Sequence, residues 1–151
     1  MLSKQTRYAM LAMVALAREY KRNTLTIGRI AESEHIPPRV LEGILLKLKK
    51  RGYLSSTRGK SGGYYLSCRP EDISMLDIVV AFEGTVSMLA CVCEDVYRPC
   101  EFCKDEFTCP IRSTFAGIYR HTIEVLRTTT LANLLDGGAA NIGSAASLAA
   151  E

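Results

Sequence analysis

The sequence predicts a mainly α-helical fold that carries one small β-hairpin. Three observations predict it. Residues 4–51 hold three segments whose apolar residues recur at helical spacing. Over residues 53–67 the pattern changes to two short runs around a Gly-rich turn. A single long amphipathic segment follows Pro110.

The first helix is expected over 4–20, with Tyr8, Leu11, Ala12 and Ala15 at i, i+3, i+4 and i+7. A short helix follows at about 27–34. Thr26 is its N-cap, and Ile27, Ile30 and Ala31 share one face. His35-Ile36-Pro37 makes a turn. Pro38 suits the first turn of a third helix, where a missing N–H costs little. That helix runs to about Arg51 on the stripe Leu41, Ile44, Leu45 and Leu48, with Gly52 at its C′ position. Tyr53–Thr57 reads as a strand, residues 58–63 as a turn, and Tyr64–Ser67 as the return strand. Helix, helix-turn-helix, then a glycine-tipped hairpin is the order of a winged helix-turn-helix.

Ser74 to Asp77 has capping-box spacing and opens a helix to about Glu83. From Pro110 a helix runs to about Arg127, with Phe115, Ile118, Tyr119, Thr122, Val125 and Leu126 on one stripe. A lone helix beyond a small domain needs a partner for such a stripe. Its symmetry mate is the simplest one, so a homodimer is expected; packing on its own domain is the alternative. Leu131 to Leu135 adds a last turn. The division is 1–69, winged helix-turn-helix; 70–90, connecting helix; 91–109, cysteine-rich loop; 110–135, dimerisation helix. Residues 136–151 are rich in Gly, Ala and Ser and are expected to be disordered.

The net charge of +3 conceals a division. Residues 1–69 carry 14 Lys and Arg against 4 Asp and Glu, a net of +10; residues 70–151 carry 5 against 12, a net of −7. A basic half is the footprint of a phosphate-binding surface, although a solvated basic face would look the same. No run approaches the roughly 20 apolar residues of a membrane span, and MLSKQTRYAM has no signal-peptide pattern. A cytoplasmic location is expected. No Gly-rich nucleotide loop and no Ser/His/Asp arrangement is visible, so neither catalysis nor a small-molecule substrate is expected.

In a helix-turn-helix the second helix enters the major groove of double-stranded DNA, N-terminal residues first. Here these are Pro37, Pro38, Arg39, Glu42 and Gly43. Arg39 can fork onto a guanine, and Glu42 can accept from cytosine N4. Lys47, Lys49 and Lys50 are placed for phosphates. The hairpin tip Arg58-Gly59-Lys60 suits the minor groove, which is narrow and negative in A·T tracts.

Five of the six cysteines crowd into 91–109: Cys91, Cys93, Cys100, Cys103 and Cys109. One thiol serves a nucleophile and two serve a disulfide. Five in a short loop point to thiolates converging on soft metal, either zinc or an iron–sulfur cluster. Cys100-x2-Cys103 alone could chelate one zinc or iron. Cys68, at the end of the hairpin, is expected to be a small buried hydrophobe, and His121 a structural residue.

TRYAMLAMVALA at 6–17, IPPRVLEGILLKLKKRGYLSSTRGKSGGYYL at 36–66 and CKDEFTCPIRSTF at 103–115 resemble one family over about residues 1–135. It is the family of IscR/NsrR-type winged-helix transcriptional regulators. The resemblance implies a homodimer on a palindromic operator, with repression the expected action. It also implies a [2Fe–2S] or [4Fe–4S] cluster held by three cysteines and one variable ligand, reporting redox, iron or nitric oxide status. Carried over, Cys103 and Cys109 match the second and third cluster cysteines. The first is Cys91, Cys93 or Cys100, with Cys93 preferred. The variable ligand departs from the family's solutions: Arg112 and Arg7 stand where others have a histidine or an acid, so Cys91 or Cys100 is expected to complete the site. The alternatives are a zinc or thiol–disulfide switch, or control by a protein partner.

Overall fold

A computed structural model describes residues 2–59, 62–94 and 96–137. Helix α1 spans Lys4–Arg18, and the Ser3 hydroxyl caps it by accepting from the Thr6 N–H at 3.2 Å. Its buried face is Thr6, Ala9, Ala12, Met13 and Leu16, with Ala15 and Ala17 beside it. The stripe expected through Leu11 is therefore rotated, and Leu11 is 42 % exposed. In an alanine-rich helix more than one face is apolar enough to pack.

Helix α2 spans Ile27–Ser33 under the Thr26 cap, and α3 spans Pro38–Lys50. Leu41, Ile44, Leu45 and Leu48 of α3 enter the core as expected. Gly52 follows at φ +83°, in the left-handed region where glycine carries no Cβ penalty. Strands β1, Leu54–Thr57, and β2, Gly63–Leu66, pair antiparallel from Leu54↔Leu66 to Thr57↔Gly63. Against the sequence reading, β1 starts one residue later and β2 is displaced by one residue toward the N-terminus. Leu25 extends the hairpin's sheet by exchanging backbone hydrogen bonds with Tyr64 at 2.9 and 2.8 Å. That approach needs a glycine next door, because a Cβ on Gly63 would lie 2.7 Å from the Leu25 carbonyl oxygen.

After a 3₁₀ turn at Pro70–Asp72, helix α4 runs Met75–Glu83 behind the Ser74/Asp77 capping box. The cysteine loop contains a second 3₁₀ turn, Ala90–Val92. Helix α5 spans Pro110–Thr128 against α4 and this turn, with no residue fully buried. The chain then returns to the first domain. The Met75 N–H donates to the Thr129 carbonyl at 2.8 Å, and the Leu131 N–H to the Ile73 carbonyl at 3.0 Å. Helix α6, Leu131–Leu135, packs on α1, and Leu131 is wholly buried. It is thus an element of the winged-helix core rather than a continuation of α5.

Glu83, the last residue of α4, accepts from the Ser3 N–H at 2.8 Å and from the buried Thr6 hydroxyl. This carboxylate sits at the positive end of α1, which anions favour. Among the described residues no helix is long and apolar enough to cross a membrane. Of the 136–151 tail, all but Asp136 and Gly137 lie outside the described residues.

Candidate nucleic-acid face and cysteine loop

The burial of one face of α3 decides what the other presents. With Leu41, Ile44, Leu45 and Leu48 inward, Arg39, Glu42 and Gly43 are exposed on the outer face, as is Pro37 before it. Lys47 sits at the edge, its ammonium 4.6 Å from the centre of the Phe82 ring. Lys49 donates to the Ser56 hydroxyl at 2.7 Å, bracing α3 against β1. Arg58 and Gly59 are exposed at the hairpin tip, with Gly59 at φ +106°. Lys60 lies outside the described residues. His35 is exposed in the α2–α3 turn at φ +55°.

The five loop cysteines separate into two groups. Cys109 is the N-cap of α5, where its sulfur accepts from the Arg112 N–H at 3.5 Å. The Cys103 and Cys109 thiols are close enough to shift each other's titration, and the Cys103 thiol donates to the Asp105 carbonyl at 3.3 Å. The Arg112 N–H and the Cys103 contact hold the Cys109 thiol below its ordinary range. The same contact with Cys109 raises Cys103. Cys100 adjoins them: the Cys103 N–H donates to the Cys100 carbonyl at 3.2 Å, and its thiol interacts with that of Cys103.

Cys91 and Cys93 are buried in and beside the Ala90–Val92 turn, and the Cys93 sulfur is 3.2 Å from the Thr85 hydroxyl. The preferred first ligand, Cys93, is therefore drawn toward the end of α4, whereas Cys100 adjoins the Cys103/Cys109 pair. Three half-exposed or exposed thiols from one loop suit a thiophilic ion or cluster in donor chemistry. Among the described residues no three His, Cys, Asp or Glu side chains already stand in a ligating array. Cys68 is half-buried rather than buried, its thiol 3.7 Å from the Gly52 carbonyl. His121 is exposed on α5.

Two acidic side chains of the loop, Asp105 and Glu106, hold its shape. Asp105 accepts from the Phe107 N–H at 3.0 Å and the Thr108 hydroxyl at 2.9 Å, closing a turn between the two matched cysteines. Tyr97 donates its hydroxyl to Glu106 across the loop, which raises the phenol's pKa. Asp95 lies outside the described residues. Arg112 is the residue that sequence reasoning undervalued. It cannot ligate a metal, yet its Nε donates to the Cys91 carbonyl at 3.1 Å while its backbone N–H serves Cys109. Its place three residues after an N-cap was the available signal.

A helix-turn-helix with a hairpin wing, followed by a thiol-rich loop, defines a DNA-binding transcriptional regulator rather than an enzyme. The comparisons agree. The chain belongs to the Rrf2 family, described as iron-dependent transcriptional regulators, whose model matches residues 2–137. An rrf2-like helix-turn-helix regulator of Rhodobacter capsulatus is 38% identical over 141 residues, covering 91% of this chain and 94% of the relative. The structure of CymR, the global cysteine regulator of B. subtilis, superposes with a TM-score of 0.75 at 28% identity, covering 91% of this chain and 97% of that one. T. potens IscR gives 0.71 at 25% identity, covering 100% and 93%.

Proposed function

We propose that the chain binds a palindromic operator as a homodimer through α3 and the wing, and that an iron–sulfur cluster on the cysteine loop sets its affinity. The observation that carries this reading is the position of Cys109. It is both a member of the Cys103/Cys109 thiol pair and the cap of α5, so whatever the thiols hold is coupled to the orientation of that helix. The family description, iron-dependent, supports iron as the metal. Cys103 and Cys109 are two of the ligands, and Cys100 adjoins them. A cluster there supplies a one-electron redox centre with oxidant-labile iron. The half-exposed stripe of α5 is the dimer face. Arg39 and Glu42 read bases and Arg58 enters the flanking minor groove. Pro37, Gly43 and Gly59 permit close approach, and Lys47 lies near phosphates.

The test is anaerobic purification with iron and sulfide analysis, followed by operator affinity with the cluster present and removed. A brown protein whose two forms differ in affinity or footprint is the expected result; identical footprints would sink the switch. Arg39→Ala should cost roughly 1–3 kcal/mol at one base pair, and Arg58→Ala should matter most on A·T-rich flanks.

The proximity of the Cys103 and Cys109 thiols also favours a second reading, a thiol–disulfide switch. A two-electron oxidant such as hydrogen peroxide would take two electrons and two protons from the pair and join the sulfurs. A colourless, iron-free protein whose DNA binding reverses with oxidant and thiol reductant would select that reading, and bound zinc would select a zinc switch.

A further inference from the structure

Leu46 lies on the outer face of α3, seven residues after Arg39 and four before Lys50, and is 46 % exposed. It takes no part in the core, which α3 meets through Leu41, Ile44, Leu45 and Leu48. A single exposed leucine is ordinary on a protein surface. This one stands between Arg39 and Lys50 on the outer face of α3. Helical side chains lean toward the N-terminus, so Leu46 leans over the preceding turn, where Gly43 stands. Gly43 has no side chain, and a Cβ built there meets nothing within 4 Å. Leu46 is therefore an exposed apolar group beside the bare Gly43 backbone, between Arg39 and Lys50 along the helix.

We propose that Leu46, with open space at Gly43 beside it, meets the C5-methyl group of a thymine, making Leu46 a specificity-determining residue of the DNA-reading face. The inference rests on the reading of α3 as the major-groove helix. The thymine methyl is the apolar group that the major groove presents, and an aliphatic side chain is its complement. Arg39 can discriminate through hydrogen bonds, whereas Leu46 can discriminate only through contact with that methyl. Leu46 is two turns along α3, about 10 Å from Arg39 by the helical rise. The contact thus requires α3 to lie along the groove rather than enter it by its tip.

The experiment begins with duplexes selected from a random pool by the full chain. Each thymine of the selected site is then replaced singly by deoxyuracil, which removes only the methyl. Binding is measured for the unaltered protein, for Leu46→Ala and for Leu46→Met, with thermal unfolding to verify that the variants fold. One thymine per half-site should weaken the unaltered protein about fourfold when demethylated, the factor for one buried methyl-sized group. Leu46→Ala should be insensitive to that replacement, and Leu46→Met should remain sensitive. The assignment is overturned if no thymine shows methyl dependence, or if Leu46→Ala keeps it in full. Selection of no DNA at all would instead remove the groove-reading role of α3, and this assignment with it.

Discussion

The Nε of Arg112 donates a hydrogen bond to the carbonyl oxygen of Cys91 at 3.1 Å, tying the first turn of α5 to the buried start of the cysteine loop. The same residue's N–H serves Cys109. One side chain and one backbone group of Arg112 thus hold the two ends of the loop together. Arg112→Ala should destabilise the fold by about 1 kcal/mol, a charge-assisted hydrogen bond discounted for partial exposure. Limited proteolysis should cleave within 91–109 faster in this variant. Arg112→Lys should not restore protection, because an ammonium lacks the guanidinium's fixed fork. Equal cleavage rates in all three proteins would show that the contact does not hold the loop.

Cluster ligation should follow the grouping of thiols. Cys103→Ser and Cys109→Ser should lose iron and visible absorption after anaerobic reconstitution. Cys100→Ser should lose more iron than Cys93→Ser, because Cys100 adjoins the pair and Cys93 lies against Thr85. Cys68→Ser should keep its full spectrum, since Cys68 lies at the base of the wing. A Cys109→Ser protein with full iron and colour would overturn the placement of the cluster.

Acid stability should depend on Glu83. Hydrogen bonds from Thr6 and Ser3 hold its carboxyl down at about 2, below the ordinary value of 4.5. A group depressed in the folded state stabilises above its unfolded pKa, and that contribution fades as pH falls through the folded pKa. The wild-type chain should therefore lose this contribution progressively between about pH 4.5 and pH 2. Glu83→Gln should be less stable at neutral pH and should show a shallower decline across that window. Urea unfolding between pH 2 and pH 7 measures both slopes, and parallel curves would refute the linkage.

Leu131→Ala should cost about 2–5 kcal/mol, the range for truncating a fully buried leucine. Because α6 packs on α1, the loss should appear in the same unfolding transition as the DNA-reading helices. Circular dichroism and tyrosine fluorescence followed through urea unfolding should report coincident midpoints. A separate early transition confined to the C-terminal region would show α6 to be independent of the core.

The local elements were readable from sequence because their causes are local. Thr26 caps α2 three residues before the N–H it accepts, Ser74 and Asp77 satisfy each other within one turn, and the α3 stripe repeats at the helical period. The charge division, the recognition-helix order and the C-x5-C-P spacing likewise need no contact between distant residues. What only the tertiary structure decided depends on groups far apart in the chain. The buried face of α1 was set by α3, α4 and α6 packing against an alanine-rich helix whose own sequence offered more than one apolar face. The membership of α6 in the core rests on backbone bonds from Ile73 and Met75 to the segment around Thr130. The division of the cysteines rests on the loop's path, closed by Arg112 to Cys91 and Tyr97 to Glu106, pairs 21 and 9 residues apart. A count of thiols states which metals they suit; which thiols meet is decided by the folding of the loop around them.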